Sequence, residues 1–243
     1  MIDKNTHKVA YILPNLFTAS SIFLAVLSMI ASINNDYDKA MILIIVSLIC
    51  DGLDGRVARL TNTTSKFGVE FDSLADIVAF GVAPAVLFYF NLGQDYGRFG
   101  SLAMAVFIIF GAIRLARFNV TTGTYDPRFF IGLPIPTAAV VLGIWVVFYK
   151  HYFDGDTIVG VFIILLSFLL SFLMVSNVRY HSFKKIELHK TMMLKVLVIL
   201  IFACSLIWLF PLEIFTLLVS VYVIYGLSRA IYNLYIKKIK KVG

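Results

Sequence analysis

Charged residues are scarce in this chain of 243 residues, where they make up 14% of the sequence. A soluble domain of this length would carry about a quarter charged residues. Hydrophobic residues account for 60% and aromatic residues for 15% of the chain. Cysteines are also few: Cys50 and Cys204 both lie in apolar segments, and we expect both to be free thiols. The composition excludes a soluble globular protein and is typical of a polytopic helical membrane protein.

The chain also lacks any linker rich in Ser, Pro or Gly, and it shows no internal repeat. We therefore expect residues 1–243 to form a single integral-membrane domain. Apolar stretches of about 20 residues, the length of a membrane-spanning helix, predict eight spans. They are Ile12–Ile33, Ala40–Val57, Leu74–Leu92, Leu102–Phe118, Leu133–Tyr149, Ile158–Val175, Leu194–Phe210 and Leu212–Tyr235. The fold prediction is an all-α polytopic membrane protein with about eight transmembrane helices, and Pro84 is expected to kink the third.

Positive charge is distributed unevenly between the two sides of such a bundle. With eight spans and a cytoplasmic N-terminus, 18 of the 21 Lys and Arg residues lie on the inside, and only Lys39, Arg98 and Lys150 lie outside. Because the cytoplasmic loops of membrane proteins carry the excess of Lys and Arg, both termini are predicted to be cytoplasmic. The expected location is the cytoplasmic (inner) membrane. The net charge of +7 suits contact with anionic membrane lipids, and no nucleic-acid partner is expected.

Acidic residues number only 14, yet four aspartates fall in the segment Asp51–Asp76, DGLDGRVARLTNTTSKFGVEFDSLAD. An ionisable group at the centre of a membrane span costs roughly 2.5–3.5 kcal/mol, so four need cations or partners to balance them. At about 100° per residue, two helix faces emerge. The first carries Asp51, Asp54, Gly55, Ala58 and Arg59, and the second carries Gly68, Asp72 and Asp76. Two antiparallel helices joined by a short loop can point the two carboxylate pairs at each other.

Facing carboxylates provide the oxygen ligands that Mg²⁺ and similar hard cations prefer. Two divalent ions would balance four carboxylates, and paired metals about 3.5–4 Å apart clamp the attacking and leaving oxygens in phosphoryl transfer. The small residues Gly52, Gly55, Ala58 and Gly68 leave room for a phosphate or nucleotide. Arg59 can neutralise a diphosphate, and the polar run that includes Thr64 and Ser65 offers hydroxyl groups to ribose or phosphate. The alternative is a set of structural ion pairs between the aspartates and Arg56, Arg59 and Lys66.

The order D-x2-D-G-x2-A-R-x8-G-x3-D-x3-D resembles the signature of the CDP-alcohol phosphatidyltransferases at every position. The resemblance implies two divalent ions, Mg²⁺ or Mn²⁺, held by Asp51, Asp54, Asp72 and Asp76. It also implies a CDP-linked lipid as donor, attack by an alcohol hydroxyl, release of CMP, Asp76 as general base and a homodimer. Pro14-Asn15-x2-Thr18 is similar to the family's first-span element near the nucleotide. The predicted CDP- and diphosphate-binding residues are Asn15, Thr18, Gly52, Gly55, Ala58, Arg59, Thr64, Ser65 and Gly68.

Four further stretches are similar to the membrane-embedded phosphatidylserine synthases of that family: residues 71–85 (FDSLADIVAFGVAPA), 116–119 (ARFN), 132–136 (GLPIP) and 176–185 (SNVRYHSFKK). The resemblance implies CDP-diacylglycerol as donor and L-serine as acceptor. A serine carboxylate needs a cation, and arginine suits carboxylates. The predicted serine-binding residues are Arg114, Arg117, Asn119 and Arg128. The alternative for the arginines is anchoring of the span at the cytoplasmic surface or contact with lipid phosphates.

Three other functions fit parts of the pattern. The same chemistry with glycerol 3-phosphate or inositol phosphate would need a denser basic pocket, a point that three arginines do not decide. A membrane prenyltransferase would need a second aspartate cluster, whereas Asp154 and Asp156 fall on the opposite side of the membrane. A metal or ion transporter would place its site near the bilayer midplane, often between repeated halves, whereas these aspartates lie toward the cytoplasmic ends of their spans.

Overall fold

The computed structural model describes residues 4–121, 129–176, 179–181, 205 and 208–242, which form a bundle of long helices. The helices in chain order are α1 (Lys4–Ile33), α2 (Tyr37–Leu60), α3 (Lys66–Asp76), α4 (Ala83–Asn91), α5 (Arg98–Thr121), α6 (Ile135–Tyr152), α7 (Thr157–Val175) and α8 (Pro211–Val242). A π-helical segment (Ile77–Val82) joins α3 to α4, and a short 3₁₀ helix (Gly93–Tyr96) precedes α5. Two three-residue strands, β1 (Phe129–Ile131) and β2 (Arg179–His181), pair antiparallel.

Six helical stretches in the described part of the chain are long and apolar enough to cross a membrane. They are Ile12–Ile33, Lys66–Asn91, Arg98–Thr121, Ile135–Tyr152, Thr157–Val175 and Pro211–Ser228. Helix α2 covers the second predicted span. It is not one of the six apolar stretches, because its aspartates and arginines make it too highly charged. The predicted span Leu194–Phe210 lies mostly outside the described residues. The protein is therefore a multi-pass helical membrane protein.

The third predicted span differs from the structure at both its start and its middle. The helix begins at Lys66 rather than Leu74, because the Ser65 hydroxyl caps it by accepting a hydrogen bond from the Gly68 N–H at 3.0 Å. Where the sequence predicts a kink at Pro84, the structure has the π-helical segment, which ends two residues before that proline. Proline lacks an N–H and its ring crowds the carbonyl four residues earlier, so a widened turn relieves the clash.

The centre of the bundle is formed by α4 and α6. Residues 83–88 of α4 are all buried, and α6 contacts α2, α4, α7 and α8. Helix α1 packs along α2 through hydroxyl groups: the Ser21 and Ser47 oxygens lie 2.7 Å apart, and Ser28 donates to the Ala40 carbonyl at 2.8 Å. Hydrogen bonds between helices satisfy polar side chains that the bilayer core cannot solvate.

The end of α2 that lies away from the aspartate segment carries a separate polar contact. Asp38, in the first turn of α2, pairs with His151 near the end of α6 at 2.9 Å. Asp51 lies 13 residues further along α2, roughly 20 Å away at 1.5 Å per residue. Asp154 and Asp156 belong to the turn between α6 and α7, at the same end as His151. These groups are therefore remote from the four aspartates.

Apart from β1 and β2, every regular element in the described residues is helical. The two strands pair Phe129 with His181 and Ile131 with Arg179. β1 lies between α5 and α6, and β2 lies after α7. Backbone groups outside a helix still need hydrogen-bond partners, and strand pairing supplies them.

Candidate active site

A tight connection between α2 and α3 brings the two halves of the aspartate segment together. The Thr63 N–H donates to the Ala58 carbonyl at 2.9 Å, and Asn62 adopts a left-handed conformation with φ of 54°. The Thr61 and Thr63 hydroxyl oxygens lie 2.7 Å apart. Ser65 then caps α3. The hydroxyl-rich run between the helices thus forms the turn itself and faces the start of α3.

Asp51 of α2 and Asp72 and Asp76 of α3 meet in one acidic group. Each offers a carboxylate oxygen, and the three oxygens lie within 4.8 Å of one another. In Asp51 and in Asp76, the Oδ1 atom is buried and has no hydrogen-bond partner among the described residues. Unpartnered buried carboxylates are costly, and neighbouring negative charges repel each other. A hard divalent cation such as Mg²⁺ or Mn²⁺ would remove both costs, so the residues present fit such an ion.

Structural ion pairs do not account for this group. Within the parts of the chain that the structure describes, no contact within 4 Å joins any of the four aspartates to Arg56, Arg59 or Lys66. Two ion pairs that the described residues do form, Lys150–Asp154 and His151–Asp38, lie at the other end of the bundle. The alternative of ion pairs at the membrane boundary is therefore not supported.

An open cleft of about 190 Å³ adjoins the acidic group, between α1, the end of α2 and the start of α3. Asp54 and Asp72 both line it. So do eight of the nine predicted CDP-binding residues: Asn15, Thr18, Gly55, Ala58, Arg59, Thr64, Ser65 and Gly68. Gly52 is the exception. It is exposed, and nothing lies within 4 Å of the position of a Cβ atom there, because one residue beyond Asp51 turns the helix by about 100°.

The cleft is narrow where α1 approaches α3. A Cβ atom at Gly68 would lie 3.2 Å from the Ser65 Oγ and 3.6 Å from the Asn15 Oδ1. Glycine therefore permits the close approach of the two helices. Thr63 and Val69 also line the cleft, and the sequence analysis did not select them. Thr63 belongs to the polar run already noted. Val69 could not be predicted, because a valine does not by itself indicate a binding site.

Asp54 is not among the three whose oxygens lie within 4.8 Å of one another, although it interacts electrostatically with Asp51 and Asp72. Its side chain is 5% exposed, and its Oδ2 accepts a hydrogen bond from the Thr18 hydroxyl at 2.6 Å. The residue lines the cleft together with Asp72. The four predicted metal ligands are thus arranged as three adjoining carboxylates and a fourth that α1 holds at the cleft.

The predicted serine-binding residues fall into distinct environments. Arg114 is 7% exposed, its Nε is buried without a partner among the described residues, and its guanidinium carbon lies 5.5 Å from the centre of the Phe118 ring. It also interacts electrostatically with Asp76. A buried cation with an unused donor near the acidic group is a candidate site for an anion. Arg128 lies outside the described residues.

Arg117 and Asn119 bond to the protein itself. Arg117 donates to the carbonyls at the end of α7, those of Val175 at 2.7 Å, Ser176 at 3.1 Å and Met174 at 3.3 Å. Carbonyls at the end of a helix have no backbone N–H partner further along it, and the partial negative charge of the helix C-terminus favours a cation there. Asn119 donates to the Ser73 hydroxyl at 2.9 Å. Sequence reasoning did not select Ser73, which lies between Asp72 and Asp76.

The family model described as CDP-alcohol phosphatidyltransferase matches residues 11–173, a range that contains the cleft and all four aspartates. The chain belongs to this family. CDP-alcohol phosphatidyltransferases are metal-dependent, in agreement with the acidic group of Asp51, Asp72 and Asp76.

Relatives with assigned names extend the similarity over most of the chain. The CDP-diacylglycerol–serine O-phosphatidyltransferase of Helicobacter pylori strain J99 is 50% identical over 227 residues, which cover 91% of this chain and 92% of the relative. A protein of the same name from Methanocaldococcus jannaschii is 39% identical over 141 residues, or 58% of this chain and 63% of the relative. Archaetidylserine synthase from Methanothermobacter thermautotrophicus is 35% identical over 159 residues, or 64% and 67%.

Proposed function

We propose that the protein transfers the phosphatidyl group of CDP-diacylglycerol to the hydroxyl of L-serine, giving phosphatidylserine and CMP in phospholipid biosynthesis. The observation that carries the proposal is 50% identity across nearly the whole chain to a Helicobacter pylori enzyme named for this reaction. The local chemistry agrees with it, because an acidic group suited to divalent cations adjoins a cleft lined by glycines, hydroxyls and an arginine. The enzyme is thus a membrane-embedded transferase.

Two divalent ions, Mg²⁺ or Mn²⁺, belong to this proposal. Asp51, Asp54, Asp72 and Asp76 would hold them. When bound, such ions supply positive charge that stabilises the diphosphate as negative charge develops on it. Support comes from the buried carboxylate oxygens of Asp51 and Asp76, which have no partner among the described residues.

The donor's CDP group would occupy the cleft. Arg59 can form a bidentate contact with the diphosphate, and Gly55 and Ala58 on the same helix leave room for it. Asn15, Thr64 and Ser65 line the cleft with polar groups suited to ribose or phosphate. The lipid tails would then extend into the bilayer beside the helices.

Asp76 is proposed as the general base. The serine hydroxyl oxygen forms a bond to the phosphorus on the lipid side of the diphosphate, and its proton passes to Asp76. The bond between that phosphorus and the bridging oxygen breaks, and CMP leaves with the electron pair. The position of Asp76 beside two other carboxylates, with one oxygen lacking a hydrogen-bond partner in the described structure, supports this role.

Arg114 is proposed to bind the serine carboxylate. Its burial, its unpartnered Nε and its electrostatic interaction with Asp76 support a place beside the acceptor hydroxyl. Arg117 and Asn119 border the same end of α5, but their hydrogen bonds to α7 and α3 favour a supporting role. Arg128 stays a predicted serine-binding residue.

The membrane arrangement completes the proposal. The single domain would cross the cytoplasmic (inner) membrane eight times, with both termini and the cleft on the cytoplasmic side, and would form a homodimer. With eight spans, 18 of the 21 Lys and Arg residues would lie on the cytoplasmic side, a distribution typical of membrane proteins.

The test is CMP release by the protein purified in detergent, given CDP-diacylglycerol and Mn²⁺ or Mg²⁺. Serine, glycerol 3-phosphate and inositol phosphate are offered separately, with and without a chelator. Release with serine alone, lost on chelation, is expected. Release with another acceptor would retain the phosphatidyltransferase reaction and replace serine. No release with any acceptor, in folded protein, would favour a transporter.

A further inference from the structure

We infer that Thr18 of α1 is a positioning residue for Asp54, and that its hydroxyl holds the carboxylate in the orientation needed to bind a divalent cation. This inference rests on the proposed function. The Thr18 Oγ1 lies 2.6 Å from the Asp54 Oδ2, and the two residues are 3% and 5% exposed. The family resemblance placed Thr18 among the nucleotide-binding residues, whereas the geometry points to Asp54.

The length of this hydrogen bond identifies its acceptor. A threonine hydroxyl has one proton, and Thr18 has two candidate acceptors, the Asp54 Oδ2 at 2.6 Å and the Pro14 carbonyl at 3.2 Å. Hydrogen bonds from a hydroxyl to a carboxylate are typically 2.5–2.7 Å long and about twice as strong as bonds between neutral groups. The proton therefore belongs to the Asp54 Oδ2, and the carboxylate's Oδ1 takes no part in this hydrogen bond.

Asp54 differs from the other three aspartates in its surroundings. Asp51, Asp72 and Asp76 adjoin one another, so a shared cation would orient all three. Asp54 lies outside that group, and its neighbour across the cleft is α1. The same helix approaches α3 where Asn15 lies beside Gly68. Helix α1, which contributes nothing to the aspartate signature, would therefore set the position of the fourth ligand.

Thr18→Val tests the inference, since it removes the hydroxyl and keeps the shape of the side chain. Thr18→Ser restores the hydroxyl. The matched control is Ser21→Ala, which removes another buried hydrogen bond between α1 and α2, with Ser47 at 2.7 Å, close to Thr18 in sequence. Hydrogen-bond partners of metal ligands typically contribute 10- to 100-fold to metal affinity.

The first measurement is Mn²⁺ binding to the purified protein, followed by electron paramagnetic resonance without lipid substrate. Thr18→Val should weaken binding by about 10-fold or more, whereas Thr18→Ser and Ser21→Ala should bind like the wild type. The second is CMP release against Mn²⁺ concentration. Thr18→Val should raise the Mn²⁺ concentration for half-maximal rate and leave the KM for CDP-diacylglycerol little changed at saturating Mn²⁺.

Unchanged Mn²⁺ binding with a higher KM for CDP-diacylglycerol would make Thr18 a nucleotide contact and overturn the inference. An equal loss in Ser21→Ala would overturn it too, because helix packing alone would then explain the effect. Should Thr18→Val fail to fold, Thr18→Ala takes its place with the same expected result. The binding measurement does not depend on turnover, so absence of serine-dependent CMP release would contradict the proposed function without deciding the role of Thr18.

Discussion

At the scale of single residues, three of the four carboxylates lie close to one another, and the fourth accepts a hydrogen bond from a threonine of another helix. Asp51, Asp72 and Asp76 adjoin one another, while Asp54 bonds to Thr18 across the interface of α1 and α2. Identical side chains in one signature therefore have different surroundings. Their contributions to metal binding and proton transfer should differ when each is replaced alone.

Asp76→Asn should lower the rate of CMP release by about 10²- to 10⁴-fold, since an amide cannot accept the serine proton and general bases contribute this much. Donor binding should be largely preserved. The measurement is kcat with serine, alongside binding of CDP-diacylglycerol. Asp154→Asn is the control, because Asp154 is exposed and pairs with Lys150 at the other end of the bundle. Near-normal turnover in Asp76→Asn would remove Asp76 as the base.

Arg114→Gln should raise the KM for serine by about 10-fold or more, since hydrogen bonds to charged groups contribute about 1.5–3 kcal/mol. The KM for CDP-diacylglycerol should change little. Arg117→Gln is the comparison: it should lower the thermal unfolding temperature, because the carbonyls of Met174, Val175 and Ser176 lose their donor. A serine KM that rises only in Arg117→Gln would reverse the two assignments.

At the scale of elements, three sets of hydrogen bonds join α3, α5, α7 and the segment before α6. Arg117 binds the end of α7, Asn119 binds Ser73 of α3, and the Leu133 N–H donates to the Leu173 carbonyl at 3.0 Å. Gly132 packs into this junction with φ of 79°. The helix that carries Asp72 and Asp76 is thereby tied to α7 through α5.

Gly132→Ala should destabilise the protein by roughly 1–3 kcal/mol from the left-handed backbone alone, with a further cost from crowding. A Cβ atom there would lie 2.3 Å from the Met174 carbonyl oxygen. Gly155→Ala is a matched control, because Gly155 has φ of 85° and nothing within 4 Å of its Cβ position. Thermal unfolding in detergent measures both. Equal losses would show that crowding at the junction contributes nothing.

At the scale of the whole molecule, the acidic group and the Asp38–His151 pair lie at two separated ends. The acidic group and cleft lie at one end of α2, and the Asp38–His151 pair lies at the other. Between them, α4 and α6 bury mainly apolar side chains. A membrane-spanning orientation would put these two ends in different aqueous compartments.

Cysteine labelling tests that orientation in a background with Cys50→Ser and Cys204→Ser. A membrane-impermeant maleimide is applied to cells whose cytoplasmic membrane is intact. It should label Asp154→Cys at once and label Ser182→Cys only after the cytoplasmic membrane is permeabilised. The expectation follows from the excess of Lys and Arg on the Ser182 side. The opposite pattern of labelling would place the cleft outside and contradict a cytoplasmic site.

Helix positions and the aspartate register could be predicted from sequence because both follow from local periodicity. Apolar runs locate α5, α6 and α7 within a few residues of their observed ends. The 3.6-residue repeat places Asp72 and Asp76 on one face of a helix. The start of α3 was set too late, since its first two turns are too polar to resemble a membrane span and depend on the Ser65 cap. The family signature was confirmed by the match over residues 11–173.

The sequence by itself thus determined the class of protein, its family and the acidic segment, since hydropathy and spacing are properties of neighbouring residues. Only the tertiary structure decided which side chains meet across helices. It paired Thr18 with Asp54, directed Arg117 to the end of α7 and left Arg114 buried near Asp76. Arg114 and Arg117 are three residues apart and chemically identical. Their different partners come from the packing of α7 and of the π-helical segment after α3 against α5, which no local pattern encodes.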